Sequence, residues 1–399
     1  MPKLKKYAMS LDDVYSVAEL EAQLAARRLV GVTQLTLNGR NWGDAGAYLL
    51  AKSSQLATLQ ILDLGENQIT DAGVQALADS PHLTQLRTLK LHRNQIGDAG
   101  VVALAGSSYL SELAELELHQ NHIGVAGAQA LADSATLRQL TTLRLYRNQL
   151  GPAGVAALLS GSALNNLQAL DIDHNALGDA GAQSLGAAAQ MIHLTALNVT
   201  NNGIGPQGVA ALADAAHLAN VQHLDLSHNA LGADGAQSLA DSAFLRNLTT
   251  LHLAHTELGA SGIAALAASP ILRQIERLDV RSNALGDDGV RALAESQYGN
   301  ALRALLLNDN TIGDAGAWAL AHTTSIISLT LLYLAENMIG DDGAIALANT
   351  TVLANLTELD LWGNRVRAAG ANALAQSRHL TNLLLLDVGG SAADDDDDD

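Results

Sequence analysis

Leu89-Lys90-Leu91-His92-Arg93-Asn94-Gln95-Ile96-Gly97-Asp98-Ala99-Gly100-Val101-Val102-Ala103-Leu104, closed by Leu110-Ser111-Glu112-Leu113, decides the fold, because nearly the whole chain is made of copies of it. Moving the Leu89/Leu91 pair by 27 residues in either direction finds the pattern again each time. The first apolar residue of the pair falls at 35, 62, 89, 116, 143, 170, 197, 224, 251, 278, 305, 332, 359 and 386, fourteen copies without an insertion or deletion. Alternation at Leu89 and Leu91, with Lys90 and His92 facing the other way, reads as a short strand. Apolar residues then return at Ile96, Leu104, Leu110 and Leu113, completing one inward face with helical spacing.

The remaining positions of the unit have assignable tasks. Asn94 ends the strand, and its amide can donate to and accept from loop backbone groups that are otherwise buried unpaired. Eleven of the fourteen copies keep it; Arg40, Thr256 and Ser391 are the exceptions. Asp98 reads as a helix N-cap, and Gly100, Ala103 and Leu104 share one helical face. The glycine column (46, 73, 100 and on to 370) and the leucine column (50, 77, 104 and on to 374) are filled in all thirteen complete units. A mid-helix glycine costs ~1 kcal/mol against alanine, so close packing of helix on strand is expected to offset it. Ser107, Ser134, Gly161 and Thr350 mark the column that closes the helix. Pro152 and Pro206 replace the aspartate, which suits a helix start. Gly299 stands where a core leucine is due, with Tyr298 expected to compensate, and Met191 replaces another.

A strand–turn–helix unit cannot bury its apolar side alone, so the copies must stack. The pattern LxLxxNxIGDAGxxALA resembles the leucine-rich repeat, in particular the ribonuclease-inhibitor-like subclass with a helix in every repeat, over residues 29–388. The resemblance implies an α/β fold: a right-handed horseshoe solenoid with a parallel sheet on the concave side and helices on the convex side. The uniform period departs from ribonuclease inhibitor, which alternates repeat lengths and is rich in cysteine. Residues 1–34 read as an N-terminal cap, in which Ser16-Val17-Ala18-Glu19 is a capping box opening a helix through about Leu29. Leu29 and Val32 fall on the Leu110 and Leu113 columns. Residues 35–388 form the array, one elongated domain. Residues 389–399 read as an acidic disordered tail, and Met1–Tyr7 as a short, loose basic segment.

Acidic residues outnumber basic ones 41 to 22, and six of the net −19 charges come from Asp394–Asp399. That balance disfavours nucleic acid and anionic membrane, and favours a protein partner with a basic surface. Cysteine is absent, so no disulfide or thiolate metal site can form. The N-terminus has no apolar stretch of signal type, and no 18-residue apolar run occurs. The expected setting is the cytoplasm, or a host cytoplasm for an exported effector, and the expected state is a monomer.

Three motifs suggest chemistry that the repeat explains better. Gly203-Ile204-Gly205-Pro206-Gln207-Gly208 matches GxGxxG, but Gly205 and Gly208 are ordinary repeat columns, and Pro206 removes an N–H that a pyrophosphate needs. Asp171-Ile172-Asp173-His174-Asn175 imitates an EF-hand start, yet Ala176 and Ala182 stand where glycine and glutamate belong. His223, Asp225, His228, His252 and His255 lie on consecutive strands, where two imidazoles and a carboxylate could meet a metal. A solvated polar face is the preferred reading, with no metal and no cofactor. Hydrolase, zinc-protease and P-loop motifs do not occur in the sequence.

Recognition is expected on the residues pointing out of the strands. Lys90, His92, Arg93, Glu117, His119, Arg144, Tyr146, Arg147, Asp171, Asp173 and His174 form the most charged stretch and the chain's only basic cluster. Toward the other end, Leu306, Leu331, Tyr333 and Trp362 suggest an apolar spot rimmed by Glu336, Glu358, Asp360 and Asp387. The leading expectation is a non-catalytic protein-interaction scaffold that grips a macromolecule on the concave face. Other readings are a GTPase activator of the Ran-activator type, a bacterial effector similar to GALA-type proteins, or an engineered scaffold without a ligand. No activating residue of the first can be matched here, and little room exists before Leu35 for the F-box of the second.

Overall fold

The computed structural model describes residues 8–10 and 16–389. The loose basic start and the Asp394–Asp399 run expected from sequence lie outside the described residues. Two units divide the chain, residues 1–202 and 203–399. In the first unit the strands are β1 (Ala8–Ser10), β2 (Gln34–Thr36), β3 (Ile61–Asp63), β4 (Thr88–Lys90), β5 (Glu115–Glu117), β6 (Thr142–Arg144), β7 (Ala169–Asp171) and β8 (Ala196–Asn198). They form a parallel sheet in chain order, each in register with the next at the central leucine (Leu62 with Leu89, Leu89 with Leu116). The second unit repeats this with β9 (His223–Asp225), β10 (Thr250–His252), β11 (Arg277–Asp279), β12 (Ala304–Leu306), β13 (Leu331–Tyr333), β14 (Glu358–Asp360) and β15 (Leu385–Asp387).

A helix of eight to ten residues follows each strand from β2 to β14. Strand and helix trap the leucines between them. Leu89, Leu91, Ile96, Leu104 and Leu113 are fully buried, as are their counterparts through most of each array. Leu386 and Val388, the same columns on β15, stay partly exposed, and Leu384 beside them is largely exposed.

The N-terminal segment follows the sequence reading in its start and departs from it in its extent. Ser16 Oγ accepts from the Glu19 N–H while Glu19 Oε2 accepts from the Ser16 N–H, the reciprocal capping box. The helix closes at Ala25, short of the expected Leu29, where Arg27 turns to φ 55°. Leu29 and Val32 are nevertheless buried in their predicted columns. Strand β1, which pairs in parallel with β2, has no leucine pair to announce it and was not expected.

Asparagine works as its position predicts. Asn94 Nδ2 donates to the carbonyls of Leu64, Leu91 and His92 (3.1, 2.9 and 3.2 Å), and Oδ1 accepts the N–H of Asn67 and Ile69 (3.1 and 2.9 Å). One side chain thus ties two consecutive turns, and the same ladder runs on through Asn121, Asn175, Asn283, Asn310 and Asn337. Thr256 fills its exceptional position with a hydroxyl within reach of Leu253 O (2.6 Å) and Asn283 Oδ1 (3.0 Å).

The aspartate column requires a correction. Asp98 is the first residue of its own helix, and Gly97 is the N-cap. Its carboxylate reaches the following repeat and accepts from Gly124 N at 2.7 Å. Asp44 likewise takes Thr70 N and Gly73 N (2.8 and 3.0 Å), and Asp287 takes Gly313 N and Gly316 N (2.7 and 2.9 Å). Each aspartate therefore caps its neighbour's helix, satisfying free N–H groups at the positive end of the dipole.

That carboxylate also explains the glycine column. A Cβ on Gly100 would lie 2.7 Å from Asp71 Oδ1 and 2.9 Å from Ile96 Cγ2. At the far end of the helix, Ser107 Oγ donates to Ala78 O of the preceding repeat (2.5 Å), as Thr350 does to Ala321 O (2.8 Å). Gly299 is closed over by Ile326 and Ser325, whose atoms sit 3.1 Å from where its Cβ would be. Tyr298, expected to fill that space, instead lies half-exposed beneath the Arg273 guanidinium, 4.6 Å from the ring centre.

Candidate functional site

Register builds the site in the first unit. Lys90, Glu117 and Arg144 end three adjacent strands and face one another as direct partners (Lys90 with Glu117, Glu117 with Arg144). The backbone ladder then continues past the strands, with Arg93 N donating to His119 O (2.9 Å) and Gln120 N to Tyr146 O (2.8 Å). His92, His119 and Tyr146 therefore form a second column. Arg93, Gln120 and Arg147 form a third on left-handed backbone (φ 53°, 56° and 53°), which turns their side chains away from the core.

Glu117 is the hub. Its Oε1 accepts from Lys90 Nζ (2.9 Å) and Arg144 Nη1 (2.5 Å), and Arg144 Nη1 also lies 3.7 Å from Glu115 Oε1. Burial favours the neutral acid, but the Lys90 hydrogen bond and the charges of Lys90 and Arg144 outweigh it and hold the carboxyl below its ordinary range. The second column is a stack of rings. His92 and His119 lie 4.6 Å apart and 6° from parallel, and His119 and Tyr146 lie 4.0 Å apart and 14° from parallel. Burial, reinforced by the positive field of His92, pushes His119 down to about 4, so it is neutral at pH 7. Burial and then the Asp171 carboxylate raise the Tyr146 phenol above its usual value.

Around this hub Arg93 Nη1 meets Glu66 Oε1 at 2.8 Å, and the arginine side chain is half-exposed. Arg147 is exposed. Asp171 pairs in register with Arg144 on the next strand, while Asp173 and His174 contact each other through carboxylate and Nδ1. The sequence reading has all eleven residues pointing out of the strands. Two of them are nevertheless covered: Glu117 and His119 are buried (4% and 7% exposed), with longer side chains in the columns on either side.

In the second unit the expected apolar spot is smaller than predicted. Leu306 is buried, 3% exposed, in register between Asp279 and Tyr333. The Tyr333 hydroxyl donates to Glu358 Oε2 (2.7 Å), a bond that raises the phenol's pKa. Leu331 is half-buried, and of the four residues expected to form the spot only Trp362 is strongly exposed, at 47%. The histidine group singled out from sequence assembles pairwise. His252 Nδ1 lies 3.3 Å from Asp225 Oδ2, and His228 stacks on His255 at 4.4 Å. Burial works to raise the Asp225 carboxyl, yet the His252 and Ser227 hydrogen bonds leave it lowered. Among the described residues, the set whose ligand atoms converge is a different one: His92, Glu117 and His119, all within 4.8 Å of one another.

Short parallel strands, an asparagine ladder behind them and a helix in each unit define a βα-repeat solenoid with an outward strand face. The chain belongs to the leucine-rich repeat family. The family's model matches residues 55–78, 82–105, 136–159, 163–186, 190–213, 217–240, 244–267, 273–294, 301–321, 326–348 and 352–375. No curated protein sequence is a significant match. An internalin (inlF) from Listeria monocytogenes is similar in structure, with TM-score 0.52 and 19% identity over 94% of this chain and 95% of that one. A plant peptide hormone receptor, RGFR1, solved in complex with RGF2, aligns at TM-score 0.44 and 19% identity, covering 91% of this chain. This chain spans 60% of that receptor's length. Proteins of this family generally act as protein-interaction scaffolds. No described helix is long and apolar enough to cross a membrane.

Proposed function

We propose that the protein is a non-catalytic scaffold that binds a protein partner across the outward face of its strands, in the manner of the ribonuclease-inhibitor-like repeats it resembles. The observation that carries this reading is the division of labour within each repeat. Inward positions on β4 to β6 are aliphatic and buried, whereas neighbouring outward positions bring together Lys90, Glu117, Arg144, His92, His119 and Tyr146. Tyrosine and arginine anchor interfaces because they join large contact area to directed hydrogen bonds. Arg93, Arg144, Arg147 and Tyr146 are the anchors in the first unit, with Tyr333 and Trp362 in the second. The net charge of −19 favours a partner with a basic surface, drawn in by long-range attraction. Residues 1–34 cap the array and residues 35–388 carry the binding face; the protein acts as a cytoplasmic monomer.

Combining Arg144→Ala, Tyr146→Ala and Trp362→Ala tests this directly. Affinity capture from a native lysate is expected to lose the partners held by the wild type, while circular dichroism stays unchanged. An identical set of captured proteins from the folded triple variant overturns the proposal.

A further inference from the structure

Most polar atoms on the strand face are spoken for, but two ring nitrogens of the His92–Glu117–His119 group are not. Nδ1 of His92 and Nδ1 of His119 are both buried and lack a hydrogen-bond partner. An unpartnered buried polar atom costs free energy, so a site that retains two of them side by side calls for a ligand. Glu117 divides its oxygens between two tasks. Oε1 receives both Lys90 and Arg144, while Oε2 faces His92 Nδ1 across 3.8 Å.

We propose that His92, His119 and Glu117 form a binding site for one divalent transition-metal ion, with zinc as the representative. Two imidazoles and one carboxylate are a common three-ligand set for zinc, leaving a fourth position for water or a group of a bound partner. The ligand atoms, within 4.8 Å of one another, need to close to roughly 3.3–3.5 Å around an ion with 2.0–2.2 Å bonds. Parallel rings aim their in-plane lone pairs side by side, so binding must tilt His92 and His119 toward a common point. The ion therefore loosens the stack on Tyr146. Lys90 and Arg144 oppose the incoming charge but stay on Oε1, which limits the affinity without blocking the site.

Zinc titration of the full chain by calorimetry at pH 7.5, with magnesium as control, is the test. His119→Phe and His92→Phe each keep a flat ring in the stack and remove one ligand. The wild type is expected to bind one zinc ion that magnesium does not replace, and each variant to bind at least tenfold more weakly. Zinc is also expected to shift the ring ¹⁵N resonances of His92 and His119. Should one variant fail to fold, the other makes the same comparison. Absence of zinc binding by the wild type overturns the proposal. So does equal binding by the folded variants, which would place the ion at other histidines such as His228 and His255.

Discussion

Glycine at position 100 shows how a single residue can answer to a neighbouring repeat. From sequence, its recurrence suggested that helix and strand need to lie close. In the structure the place a Cβ would take faces Asp71, the carboxylate that caps the helix from the repeat before. Gly106, at the end of the same helix, has open space around it. The two positions should respond to alanine with opposite signs. Gly100→Ala should destabilise by about 2 kcal/mol, since the added methyl must push back either a capping carboxylate or Ile96. Gly106→Ala should stabilise by ~0.5–1 kcal/mol by restricting the unfolded chain. Urea denaturation measures both, and a stabilised Gly100→Ala variant refutes this reading of the column. Asn94 was legible in its role because a side chain with two donors and an acceptor can bond several backbone groups of that turn at once. The reach of Asp98 was not, because nothing in one repeat's sequence says whether a carboxylate caps its own helix or the next.

The turn before each helix adopts one of two forms, chosen by one side chain. Where Ile96, Ile123, Ile204, Ile312 or Ile339 precedes it, the following glycine is extended (φ between −98° and −116°) and acts as N-cap. Where Leu150, Leu177, Leu231, Leu258 or Leu285 precedes it, the glycine turns left-handed (φ 56° to 61°) and the helix begins at that glycine. A β-branched side chain resists the helical conformation that leucine accepts at the cap. Capping across repeats makes a second prediction at this scale. Asp287→Ala removes the acceptor of Gly313 N and Gly316 N, at a cost of ~0.5–2 kcal/mol. Hydrogen exchange should therefore accelerate in the first turn of helix Asp314–Ala321, one repeat downstream of the substitution. Acceleration confined to helix Gly286–Ala294, which carries the substitution, contradicts cross-repeat capping.

Across the whole molecule, what the sequence made legible was whatever repeats. Strand order, register, the leucine core and the asparagine ladder all follow from a fixed 27-residue phase. What escaped it depends on neighbours that break the repetition. The burial of Glu117 and His119 arises from Lys90, Arg144 and Tyr146 on flanking strands. Leu306 looked exposed because its column is outward, and Tyr333 and Asp279 beside it cover it. The ring stack was readable in principle, since His92, His119 and Tyr146 stand 27 residues apart, but its unpartnered nitrogens were not. Recognition through the strand face remains the claim on which the functional account rests. Site-specific photocrosslinking tests it most directly, with a benzoylphenylalanine placed either at Tyr146 or at Val102, an exposed position on helix Asp98–Gly106. Partner adducts should form from position 146 and not from 102; adducts from 102 with none from 146 would contradict the account.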